Sequence, residues 1–305
     1  MFNFPAHGAA AGKPAAWLSL LSMALPGFFV VLWSTGFIVA KFGLPYAPPL
    51  TFLLLRFIGV LLVLLPLVLW LKAPWPLGRI GHIVVAGLLL QAGYLGGVWC
   101  AIKLGMPAGL SALIVGLQPI LTAFAAPLIG EAVRPRQWLG LLFGLCGVAL
   151  VVLAKIHLAG LTPAGLLLCL FALASITAGT LYQKRYCPHF DLRTGTVIQF
   201  AASIAIVLPL AIWLEGLDIG LTQVHWNGRF IIALLWSVMA LSIGAIFLLF
   251  ALIRRSDATA VTSLLYLTPA TTALMAWLVF GEALNGLGLA GMVVAVIGVV
   301  FVVKK

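Results

Sequence analysis

Residues 50–71, LTFLLLRFIGVLLVLLPLVLWL, run for 22 residues with one charge, Arg56. An α-helix needs about 20 apolar residues to cross the hydrocarbon layer of a bilayer, so this stretch reads as one complete crossing. A transmembrane β-strand would be about ten residues long and would alternate apolar with polar positions; these residues do not. Outward from this stretch, comparable runs lie at 20–42, 80–101, 110–129, 138–154, 164–182, 195–214, 230–253, 261–280 and 287–303, separated by short loops with Lys, Arg, Pro or Gly. The sequence therefore predicts an all-α integral membrane protein of ten transmembrane helices, with no segment left over for a soluble domain. Composition agrees, since 64% of the 305 residues are hydrophobic and only 8% charged, too few to dress a water-soluble globule.

The net charge of +11 does not point to nucleic acid, whose binders gather basic residues on a solvated face with interleaved aromatics. Here the cations punctuate the apolar runs. With the N-terminus inside, one side of a ten-span topology carries Lys13, Lys72, Arg79, Arg134, Arg136, Lys184, Arg185, Arg193, Arg254, Arg255, Lys304 and Lys305, and the other only Lys41, Lys103, Lys155 and Arg229. The positive-inside rule then predicts a multi-pass cell (inner) membrane protein with both termini cytoplasmic. The first apolar run is too long for the h-region of a signal peptide and ends at no good small-x-small site, so it counts as a span. Cys100, Cys146, Cys169 and Cys187 have no CxxC spacing and read as packing residues.

The opening stretch has a counterpart. Residues 193–214, RTGTVIQFAASIAIVLPLAIWL, place Gln199, Phe200, Pro209 and Trp213 opposite Arg56, Phe57, Pro66 and Trp70 at a constant offset of 143, which also sets Lys184 against Lys41. At an offset of 150, Arg79, Ala101, Ala108 and Pro119 face Arg229, Ala251, Ala258 and Pro269, and at 151 Gly130-Glu131, Gly140 and Gly147 face Gly281-Glu282, Gly291 and Gly298. The chain thus divides into 1–157 and 158–305, with five spans in each. Five is odd, so the second copy enters the membrane from the opposite face. Inverted repeats are a recurrent construction of secondary transporters, which exchange inward-open and outward-open shapes about a midplane site.

The paired five-helix halves, the Trp33-Ser34-Thr35-Gly36 run leading to Lys41, the prolines Pro119 and Pro269, and the Gly-Glu pairs that follow them resemble the EamA-type branch of the drug/metabolite transporter superfamily. The resemblance covers nearly the whole chain. It implies an exporter of small metabolites, often amino acids, with a cavity lined by helices one to four and six to nine. Helix six departs from the pattern, with Ile176-Thr177-Ala178-Gly179 where the first copy has its tryptophan-led run; an asymmetric site is expected.

Arg56 lies inside a span, where a permanent cation must pair, snorkel or face water. It can hold a substrate carboxylate by a bidentate pair or reach back to the headgroups. Trp33 and Ser34 on the first span, Gln91, Tyr94 and Trp99 on the third, Gln118 on the fourth, and Trp236 and Tyr266 on the eighth and ninth can furnish stacking faces and hydrogen bonds for a small solute; interhelical packing is the alternative for each. Trp70, Trp75, Trp138, Trp213 and Trp226 sit at span ends as an interfacial belt. Pro119 and Pro269 each break a mid-span hydrogen bond, giving a static bend or a hinge beside the substrate. Lys41, Glu131 and Glu282 stand at helix ends, where a carboxylate either stabilises the next helix N-terminus or makes a gate contact with a loop cation.

No GxxxxGK[ST] phosphate loop is present, which excludes an ATP-driven pump for this chain alone. No HExxH, paired intramembrane acids or Gly-x-Ser-x-Gly nucleophile is found, so an intramembrane enzyme is disfavoured and no metal or cofactor is expected. With no Asp or Glu inside a span and His82 near the start of one, uniport or exchange is expected over proton antiport. The expected partners are a small-molecule solute and the lipid bilayer, with a monomer sufficient; nucleoside, nucleotide-sugar or drug transport is the alternative cargo.

Overall fold

The computed structural model describes residues 16–106, 111, 114–153, 162–255, 258–280 and 286–303, with no β-strand among them. These residues form ten helices. In chain order they are α1 (Ala16–Gly43), α2 (Pro49–Trp70), α3 (Leu77–Lys103), α4 (Gln118–Ile129), α5 (Pro135–Leu153), α6 (Pro163–Tyr186), α7 (Leu192–Glu215) and α8 (Gly228–Arg254). The ninth, α9, is built of Ala258–Ser263, a 3-10 turn at Leu264–Tyr266 and Leu267–Phe280, and α10 spans Gly286–Val303. Of the described helices, α2, α3, α6, α7, α8 and α10 are each long and apolar enough to cross a bilayer unaided.

Local sequence starts and stops them. Thr162, Asp191 and Asn227 cap α6, α7 and α8 by accepting backbone N–H groups with their side chains, which satisfies donors that a helix start leaves unpaired. Arg193 hydrogen-bonds the Asp191 carboxyl and holds it below the usual carboxylate range. The N-terminus of α2 borrows its cap: the Glu215 carboxylate at the end of α7 accepts Leu50 N at 2.7 Å and Thr51 N and Oγ1 at 2.8 Å. Gly130 ends α4 at φ 82°, a left-handed conformation that side chains resist.

Packing repeats the sequence symmetry. Helix α2 lies on α7, α4 on α9 and α5 on α10, while α3 meets α6 as α8 meets α1. The α5–α10 contact is the closest, because a Cβ on Gly140 would stand 2.6 Å from the Gly298 carbonyl and one on Gly291 2.7 Å from that of Gly147; backbone meets backbone there. Loops gather alternately at two ends. One end holds the Lys184–Glu131 ion pair (2.8 Å), the Arg79 bond to Tyr186 O, the Thr194 bond to Pro74 O and the Arg254 bond to Phe190 O. The other holds Glu215 on α2 and the bond from His225 N to Tyr46 O. Each helix therefore crosses once, and the five-helix halves are inverted. Trp70 and Trp213, both 79% exposed, close the outward faces of α2 and α7.

Candidate functional site

A central cavity of about 90 Å³ lies between α1, α2, α3, α6 and α8. Its wall includes Trp33, Arg56, Gln91, Tyr94 and Trp99, all expected from the sequence, together with Gly36, Ile176, Leu241 and Leu249. The α3 contribution follows helical spacing, with Gln91, Tyr94, Leu95, Val98 and Ile102 on one face.

Two π-helical stretches shape this wall, Leu88–Gly93 in α3 and Ser237–Ala245 in α8. They occupy corresponding places in the two halves, 150 residues apart. A π-turn admits an extra residue and rotates the helix beyond it. It carries Gln91 on α3 and Ser242 on α8 to the interior, both buried. Ser242 Oγ accepts the Arg56 Nε–H at 2.6 Å. Arg56 is only 6% exposed, and no carboxylate of a described residue lies within ion-pair distance of it. Gln91 and Tyr94 likewise have no hydrogen-bond partner among the described residues. The cavity thus presents a guanidinium, an amide and a phenol hydroxyl against apolar and aromatic walls: Trp33 leans on Phe29 (5.3 Å) and Trp99 on Phe52 (5.1 Å).

The other expected binding residues lie off this wall. Ser34 is fully buried, donating to Val30 O (2.7 Å) and contacting Thr268 O (3.5 Å), and so ties α1 to α9. Gln118 donates to Thr180 Oγ1 at 3.2 Å, joining α4 to α6. Trp236 is 45% exposed on an outer groove of α1, α8 and α9, its Nε1 held by Thr35 Oγ1 at 2.9 Å. Tyr266 is fully buried with its ring seated on Gly144 of α5. Pro119 and Pro269 do not kink continuous helices. Each lies in the first turn of a new helical segment, after a turn at residues 116–117 or the 3-10 turn Leu264–Tyr266, where a missing N–H costs little. Glu131 pairs with Lys184 across the α4–α5 turn; Glu282 and the Lys41 side chain lie outside the described part of the structure.

Sequence reading missed the paired π-stretches; only the one in α3 lies in a glycine-dense segment, around Gly87, Gly93, Gly96 and Gly97. It also did not single out the apolar wall residues, which in sequence are no different from the other apolar residues of their spans. Among the described residues, no group of three or more His, Cys, Asp or Glu is placed to hold a metal.

The sequence model of the EamA-like transporter family matches residues 27–153 and again 163–304. A probable amino-acid metabolite efflux pump of Salmonella typhimurium is 30% identical over 88% of this chain and 90% of its own. An uncharacterized transporter of Bacillus subtilis is 28% identical over 92% and 91%, and an uncharacterized inner membrane transporter of Escherichia coli 27% over 89% and 87%. A solved crystal structure at 20% identity superposes with a TM-score of 0.75 over 92% of this chain and 97% of its own, the mark of a shared fold.

Proposed function

The chain belongs to the EamA-like transporter family and is a membrane transporter, not an enzyme; from that premise we propose that it exports small carboxylate-bearing metabolites, such as amino acids or their derivatives, by alternating access around the central cavity. The observation that carries this reading is Arg56. A cation buried among ten helices with no carboxylate beside it among the described residues is costly until a ligand supplies the counter-charge, and a guanidinium matches a carboxylate bidentately.

Both termini are assigned to the cytoplasm, in keeping with the twelve-to-four division of Lys and Arg and the positive-inside rule. Substrate enters between the halves 1–157 and 158–305, with Trp33, Gln91, Tyr94 and Trp99 around it. The breaks ahead of Pro119 and Pro269 serve as hinges, and Glu131 with Lys184 closes one end. By the repeat, Glu282 and Lys41 hold the same two positions in the opposite halves. Among the described residues no Asp, Glu or His lines the cavity, which favours uniport or exchange. Efflux from proteoliposomes loaded with a panel of amino acids and other metabolites tests the reading: saturable flux of carboxylates, insensitive to a protonophore at a fixed solute gradient, is expected. Flux confined to nucleosides or cationic drugs would overturn it.

A further inference from the structure

Resting on that reading, we propose that the cavity selects carboxylates that bear no free ammonium group, with N-acylated amino acids as the best-matched class. The charge inventory carries the inference. Arg56 contributes one fixed positive charge to the wall, and none of the described wall residues is acidic. The acids of the described residues are all committed elsewhere, at the two ends of the bundle. Glu131 pairs with Lys184, Asp191 with Arg193, Glu215 caps α2, and Asp218 accepts from Thr222. The position opposite Arg56 adds no anion either, because its counterpart is Gln199, which is buried off the wall with its amide donating to Gln183 Oε1 at 2.8 Å.

A zwitterion in this cavity satisfies only one of its charges. Its carboxylate meets the Arg56 fork and the Tyr94 hydroxyl. Its ammonium, fixed beside that carboxylate, finds no fixed anion among the described wall residues and is repelled by Arg56, and an uncompensated charge at low dielectric is strongly disfavoured. Acylation replaces the ammonium with a neutral amide whose single N–H needs one acceptor. The unpartnered Gln91 Oε1 stands on the same face of α3 as Tyr94. The acyl group and the side chain are then left to Leu95, Val98, Ile176 and Leu241.

The test uses the full chain in proteoliposomes, comparing initial rates for N-acetyl-L-leucine and L-leucine at equal gradients. N-acetyl-leucine is expected to be faster in kcat/KM by about tenfold or more, the factor that one unpaired buried charge is worth at minimum. Methylation of its amide nitrogen removes the N–H without touching the protein and should lower the rate severalfold, and Gln91→Glu should narrow or invert the preference by giving an ammonium its anion. Leucine moving as fast as its N-acetyl derivative overturns the selectivity while leaving a carboxylate transporter in place; an unchanged rate on N-methylation overturns the role of Gln91. If no carboxylate moves at all, the transport reading itself has failed.

Discussion

Phe57 and Phe200 hold the same position in the two halves of the chain, and they meet each other, ring centroids 5.1 Å apart and planes 59° apart. The pseudo-twofold axis therefore passes between α2 and α7 at these rings. One residue earlier, the halves diverge: Arg56 turns to Ser242 and the cavity, while Gln199 turns to Gln183.

Arg56→Leu should abolish carboxylate flux, by on the order of a hundredfold in kcat/KM for the loss of a charge-assisted pair. Arg56→Lys keeps the charge but loses the planar fork and should fall between the two. Radiotracer efflux at matched protein levels decides it; wild-type flux from a folded leucine variant would remove Arg56 from the site.

Ser242→Ala frees the Arg56 Nε, whose partner lies at 2.6 Å. The fork then loses its aim, and KM for a carboxylate should rise by about tenfold with little change in kcat, as expected when a uniform binding contact is weakened.

Gly147→Leu should destabilise the protein by about 3 kcal/mol or more through overpacking, since a Cβ there already stands 2.6 Å from the Gly291 carbonyl. Gly78→Ala, where nothing lies within 4 Å, is the matched control. Thermal unfolding in detergent should separate the two clearly.

Glu131→Lys and Lys184→Glu should each slow transport by separating α6 from the α4–α5 turn, which their 2.8 Å ion pair now joins. The doubly reversed protein restores the pair and should regain most of the rate. A double variant no better than either single change would mean that the contact does not matter to the cycle.

The Asp191 carboxyl is held low by Arg193. A depressed folded pKa contributes stability that is full above the unfolded value, about 4, and is lost as pH falls through the folded one. The melting difference between the wild type and Asp191→Ala should shrink between neutral pH and about pH 3.

Much of this architecture was legible because membrane crossing imposes long apolar runs and the two copies keep a register at scattered marker residues: Phe57 could be matched to Phe200 from spacing alone. Arg56, Gln91 and Tyr94 were legible as polar groups at depth, which rarely face lipid. Ser34, Gln118 and Tyr266 carry the same signal but spend it on interhelical contacts, and depth does not distinguish a cavity wall from a helix seam. The π-stretches were hard to read because one extra residue in a turn leaves the apolar character of a span unchanged. The role of Glu215 was hidden for a different reason: its partner amides on Leu50 and Thr51 lie 165 and 164 residues away.

Two identical inverted halves would present a solute with the same face from either side of the membrane. A guanidinium on α2 opposite an amide on α7 breaks that equivalence. In a carrier working by exchange of the two shapes, the concentration that half-saturates it then differs between the two sides, while the final distribution of an uncoupled solute does not. A single unmatched charge thus allows the two faces of the carrier to differ in apparent affinity without shifting the equilibrium it reaches.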